Sequence, residues 1–179
     1  DARRLSDKLI SRLGMTDFEL VSSQAVEPLT ERGNRAKRGR YEYKYVQVAD
    51  GIPLSSGEPD STGCTVAIDD RGVVDARLTR LELGESKIVN SRVMTLDGVL
   101  AVLQKKLAAA GLVKDSIVKE ISFEYMSVED PETYNSTVFP CWRFCIATTA
   151  TLEQYGEYEN DIIINAVTGE FYAVTNRYE

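Results

Sequence analysis

The chain has 179 residues, 43% hydrophobic and 27% charged, which suits a soluble globular protein of one large domain or two small ones. A net charge of −7 argues against general affinity for nucleic acid or an anionic membrane, and no apolar run approaches the roughly 20 residues of a membrane helix. There is no histidine, so a Ser-His or Cys-His nucleophile within this chain is excluded and the commonest zinc ligand is missing.

The sequence opens at Asp1, inside a charged helical pattern, from which a segment removed upstream, such as a signal peptide or lipoprotein leader, is expected. Leu5, Leu9, Ile10 and Leu13 recur at helical spacing, and Gly14 fits the left-handed position that ends such a helix. Phe18, Leu20, Ala25 and Val26 follow less regularly, as a short strand and turn. Pro28 to Gly39 reads as an exposed loop carrying Arg32, Arg35, Lys37 and Arg38, with Arg40 next. Tyr41 to Val48 alternates aromatic and polar residues, the pattern of a half-buried strand. Asp50-Gly51-Ile52-Pro53 is a turn, and Ser55 to Gly63 a loop. Cys64 to Ile68 and Val73 to Leu83 read as a hairpin about Asp69-Asp70-Arg71-Gly72.

Thr95 is a good N-cap with Asp97 in the first turn; Leu96, Val99, Leu100, Leu103 and Leu107 then form one apolar stripe, and Gly111 stops the helix. Ile117 to Met126 reads as a strand with Ile117, Lys119, Ile121, Phe123 and Tyr125 on one face. Ser127 to Pro140 reads as an acidic loop. In the strand Cys141 to Thr149, Trp142, Phe144 and Ile146 face one way and Cys141, Arg143 and Cys145 the other. Asp161 to Val167 and Glu170 to Val174 form a last hairpin about Thr168-Gly169.

Three pairs of positions stand 97 residues apart: Gly14 and Gly111, Gly72 and Gly169, Tyr45 and Trp142. The spacing predicts one helix-then-sheet unit written twice, with the boundary near residues 84 to 90. Three cysteines cannot form a complete intramolecular set. Cys141 and Cys145 lie four apart in one strand, roughly 13 Å at about 3.3 Å per residue, too far to bridge each other. A bridge from either to Cys64, or buried free thiols, remain.

The segment Ile163-Ile164-Asn165-Ala166-Val167-Thr168-Gly169-Glu170 resembles the closing hairpin of PepSY domains, an apolar strand followed by Asp-Ala-x-Thr-Gly and a second strand. Asn165 stands where that pattern has Asp. A looser version, Ala67 to Val74, lacks the Ala and Thr. Tyr41 to Pro53 is similar to a strand-and-turn segment of PepSY-like repeats in Gram-positive secreted proteins. Pro140-Cys141-Trp142-Arg143-Phe144 is similar to a strand of the same group and of the YycI/YycH-type regulators. The resemblance implies a secreted or membrane-tethered bacterial protein, often a lipoprotein, without a cofactor. PepSY domains are linked to peptidase inhibition or regulation in the cell envelope, and YycI/YycH-type proteins restrain a sensor kinase. No residue of an inhibitory site carries over.

The candidate partner-binding residues are Arg32, Arg35, Lys37, Arg38 and Arg40, a basic run in an acidic chain, and Arg143, whose planar fork suits a carboxylate such as a peptide C-terminus. Against these stand a solvated loop for the first group and a cross-strand acid for Arg143. Glu153, Glu157, Glu159 and Asp161 lack the twelve-residue pattern of a calcium loop. The expectation is therefore an α+β protein of two similar units, 1–84 and 88–179, each one helix packed on an antiparallel β-sheet. Its expected role is non-enzymatic, binding or regulating a cell-envelope protein partner, a peptidase or a sensor. It would sit outside the cytoplasm, meeting the membrane only through a missing N-terminal anchor, with no metal, cofactor or nucleic acid. The alternatives are a peptide or small-ligand carrier and a carboxylate-using enzyme.

Overall fold

A computed structural model describes residues 1–26, 39–55, 62–84, 92–111, 116–129, 136–148 and 160–173. It separates into two compact units, Asp1–Leu54 with Asp60–Gly84, and Ser55–Pro59 with Glu85–Glu179.

The first unit opens with helix α1 (Ala2–Arg12), followed by β1 (Phe18–Val26), β2 (Arg40–Ala49), β3 (Ile52–Ser55, whose last residue belongs to the second unit), β4 (Gly63–Asp69) and β5 (Gly72–Thr79). β2 pairs antiparallel with β1 on one side and β4 on the other, and β4 pairs with β5. Asp50 and Gly51 both take positive φ, 51° and 74°, the backbone of a two-residue turn that carries β2 into β3. The tyrosine alternation of β2 works as the sequence predicts: Tyr43 and Tyr45 join Ile10, Met15, Phe18, Cys64, Val66 and Ile68 in one core.

The second unit has helix α2 (Leu96–Ala109) and four antiparallel strands in sequence order, β6 (Ser116–Glu129), β7 (Ser136–Thr148), β8 (Asn160–Asn165) and β9 (Phe171–Ala173). The Thr95 hydroxyl accepts the Gly98 amide at 3.3 Å, capping α2 as expected. Val99 and Leu103 pack with Phe144, Ile146 and Ile164. A second cluster, Met126, Cys141 and Ile163 with Phe139 and Tyr172, buries the other face of β7.

The expected class, α+β with each unit one helix on a sheet, is corrected by these proportions. Among the described residues nine strands stand against two helices, and most of those residues are in strands. The excess comes from segments whose sequence reads as loop or weak strand. Ser22, Ser23 and Gln24 are paired residues of β1, and Ser136 to Pro140 belong to β7 rather than to a loop. Ladder pairing satisfies backbone groups whatever the side chain, so polar stretches extend strands beyond their apolar signal. Pro140 is tolerated within β7 because its carbonyl accepts from the Ala166 amide, which fixes its backbone on the β8 side. Its missing N–H would point past Cys141, where β8 pairing ends.

The expected single face of β6 also fails. A register shift between Val118 and Glu120 makes Lys119 an extra residue, so Ile117 and Ile121 no longer share a side. Cys64, Cys141 and Cys145 are buried free thiols; the bridge to Cys64 does not form.

The 97-residue spacing is not a constant structural offset. Asp69 accepts the Arg71 amide with its carboxylate, and Asn165 accepts the Val167 amide with its side-chain oxygen, so these two residues open the hairpin turns. Counted from them, Tyr45 pairs with Cys64, five residues before Asp69, and Ile146 pairs with Asn160, five before Asn165. Ile146, not Trp142, therefore stands at the height of Tyr45. The turns differ as well. Asp69 pairs with Gly72 around two residues, whereas the Asn165 amide reaches the Glu170 carbonyl around four.

Candidate functional site

Arg143 sits on the face of β7 opposite α2, between β6 and β8. Its Nε donates to Glu124 Oε1 at 2.6 Å, Nη1 to Asp161 Oδ2 at 2.8 Å, and Nη2 to Ser55 Oγ at 2.7 Å. Register explains the meeting: Ser122 lies opposite Arg143 with Glu124 one diagonal away, and on the other side Ile163 lies opposite Arg143 with Asp161, the partner of Cys145, one diagonal away. The arginine is 8% exposed, Glu124 7% and Asp161 1%, so the cluster is buried. Burial alone would lower the arginine's proton affinity, but the charges and hydrogen bonds of Glu124 and Asp161 outweigh it and raise the pKa. Beside it the Cys141 thiol is pushed up to about 12, by desolvation first and then by the Glu124 charge, with Arg143 opposing. A thiol held neutral in this way is a poor nucleophile.

This arrangement uses the guanidinium fork on the protein's own carboxylates, as the cross-strand alternative for Arg143 anticipates. Arg40, at the start of β2, forms an ion pair with Glu42 two residues on. Arg32, Arg35, Lys37 and Arg38 lie outside the described residues, as do Glu153, Glu157 and Glu159. Among the described residues no group of three or more Asp, Glu, Cys or His is placed to hold a metal, and no helix is long and apolar enough to cross a membrane.

Two surface features escape the sequence reading. The first is an open groove of about 330 Å³ beside α1, with Ile10, Met15, Phe18 and Leu20 as apolar lining and Asp7, Ser11 and Tyr45 as polar groups. The Tyr45 hydroxyl hydrogen-bonds Ser6 Oγ at 2.7 Å and Asp7 Oδ1 at 2.8 Å. Burial, the larger cause, and the neighbouring Asp7 raise its pKa to about 12 while the Ser6 hydrogen bond lowers it. The second is the first half of β6, where Val118 and Ile121 stand 38% and 40% exposed although their strand partners Ile146 and Phe144 are buried. The i,i+4 placement of Asp7 and Ser11 on α1 was the available signal for the groove; nothing in the periodicity of β6 signals exposure.

No family model matches the chain, and no curated protein matches it. An uncharacterized protein from Eubacterium rectale has a similar solved structure, with a TM-score of 0.60 at 17% identity, which shows a shared fold alone; the match covers 97% of this chain and 55% of that one. The Bacillus megaterium YpeB C-terminal domain aligns at a TM-score of 0.38 and 14% identity, over 98% of this chain and 65% of that one. This chain thus spans between about half and two thirds of the length of either structure.

Proposed function

We propose that this chain is a non-enzymatic, PepSY-like binding module that acts outside the cytoplasm on a protein partner of the cell envelope, a peptidase or a sensor. The observation that carries the reading is the exposed apolar start of β6. Val118 and Ile121 share the α2 side of the sheet with Ile146 and Phe144, yet remain about two-fifths exposed. Adjacent exposed apolar side chains on an ordered strand are what a protein interface uses. The internal pairing of Arg143 is consistent with a framework role for that residue. The hairpin residues Asn165, Thr168 and Gly169 support the PepSY-like part.

Crosslinked pull-down from envelope extract with the intact protein tests the reading. A partner retained by the wild type and lost by the exposed-site pair Val118→Lys and Ile121→Lys supports it. Recovery of no partner, or undiminished capture by the variants, counts against it. Fractionation of the full-length protein tests localisation separately.

The groove beside α1 favours a second reading, a carrier for a small ligand or peptide, because its volume falls in the range of small-molecule sites and polar groups converge at one edge. Thermal stabilisation by an apolar peptide, abolished by filling the groove with Ser11→Trp, would favour the carrier.

A further inference from the structure

We propose that the intact protein forms a two-fold symmetric dimer through its edge strand β5, which pairs antiparallel with the β5 of a second copy about Ala76. Among the described residues β5 pairs only with β4, so its other edge carries unpaired backbone donors and acceptors. Every residue of β5 after Gly72 is exposed, including Val74 at 41% and Leu78 at 46%. The strand contains neither proline nor lysine, two residues that commonly protect an edge. It carries two charges, Asp75 and Arg77, and a bulge: Ala67 pairs with Asp75 and Ile68 with Val73, which leaves Val74 as the extra residue and Asp75 to Thr79 regular.

Symmetry and charge select both the occupant and the register. A two-fold axis perpendicular to a sheet keeps each side chain on its own face, so the axis must pass through a residue. An axis at Asp75 sets Asp75 against its own copy, and one at Arg77 sets arginine against arginine. Both place like charges directly opposite, which is destabilising. An axis at Ala76 sets Asp75 opposite Arg77 of the second copy, and Arg77 opposite its Asp75. Ala76 then meets Ala76 within the regular stretch Asp75 to Thr79. Asp75 and Arg77 already approach within 3.5 Å inside one strand, on side chains 50% and 85% exposed, so both are free to turn to a neighbouring strand. Asp75, Ala76 and Arg77 thus supply two opposite-charge pairs about a central alanine pair.

The test is sedimentation equilibrium of the intact chain at low salt, from about 10 µM to about 1 mM, the range of a weak self-association. The mass should rise with concentration from 19.9 kDa toward twice that value. Arg77→Asp or Asp75→Arg alone should weaken association at least tenfold, since each sets like charges opposite twice. The double exchange of both residues should restore it, which no folding defect would mimic. Ala76→Cys should give a disulfide-linked dimer under mild oxidation, and Arg77→Cys should not. A mass of 19.9 kDa throughout overturns the proposal, including the case in which β5 accepts a strand of a different protein. A dimer indifferent to Arg77→Asp, or one not restored by the exchange, overturns it equally.

Discussion

β2 and β7 are both inner strands flanked by antiparallel neighbours, and they bury polar groups in opposite ways. β2 is buried on one face, and along that face Tyr43 and Tyr45 pass into Gln47. Its polar groups are neutral: the Tyr45 hydroxyl meets Ser6 and Asp7 of α1, and the Gln47 amide donates to Asp17 and to the Leu81 carbonyl while accepting the Leu81 amide. β7 is buried on both faces, from Cys141 to Ala147, and carries a full positive charge between two carboxylates. A hydrogen bond from a neutral side chain contributes modestly, the more so where its partner, like Asp7 or Asp17, keeps contact with water. A buried ion costs heavily once its partner is gone. The first unit should therefore tolerate loss of its polar contacts far better than the second.

Arg143→Met gives the largest expected effect. It leaves Glu124 and Asp161 buried without their cation and should cost about 3–5 kcal/mol, read from urea unfolding. A loss below about 1 kcal/mol would mean the cluster is far more hydrated than its burial indicates.

The next effect is alkaline. The Cys141 pKa rises from 9.0 to about 12 on folding. Between those values the unfolded chain binds fewer protons than the folded one, so stability falls as pH rises. The fall from neutral pH should amount to about 2 kcal/mol by pH 10.5. Cys141→Ala should flatten that slope while lowering stability at pH 7. An unchanged slope would place the titration elsewhere, with the buried Cys64, whose thiol burial also pushes up, as the next residue to replace.

Tyr45→Phe is the neutral counterpart of the arginine change. It should cost about 1.5 kcal/mol, because the half-exposed Asp7 can still reach water at the open groove and the buried Ser6 loses only one neutral partner. A cost equal to that of Arg143→Met would break the contrast between the units. The smallest effect compares two turns. Gly14 and Gly169 take φ of 69° and 73°. Replacement of either by Ala should cost about 1 kcal/mol from left-handed backbone alone. A Cβ on Gly169 would meet Met94 Cε at an ordinary 3.5 Å, so crowding should add nothing to the second change.

Much of this scaffold is written locally. The helix-ending glycines, the Thr95 cap and the Asp50-Gly51 turn depend on backbone preferences that a few neighbouring residues settle. The alternation of Tyr41, Tyr43 and Tyr45 shows which face of β2 is inward, because one-sided burial leaves a period of two. β7 offers no such contrast: a strand buried on both faces reads as continuous apolar sequence, and Arg143 within it is a lone charge of unknown use. The candidate site was legible only as a list of cations. Whether Arg143 met a ligand or an acid depended on register, which brings Glu124 and Asp161 from 19 and 18 residues away.

The sequence by itself determined which helices form, the tight turns at Asp50-Gly51 and Asp69 to Gly72, and which face of β2 is apolar, since these follow from short-range sterics and periodicity. Tertiary structure alone decided the rest. Strand pairing extended β6 and β7 through polar residues, register shifts in β1, β5 and β6 moved side chains between faces, and hairpins of unequal length displaced Trp142 from the height of Tyr45. Each of these outcomes turns on register, and a shift of one residue reverses every side chain along a strand.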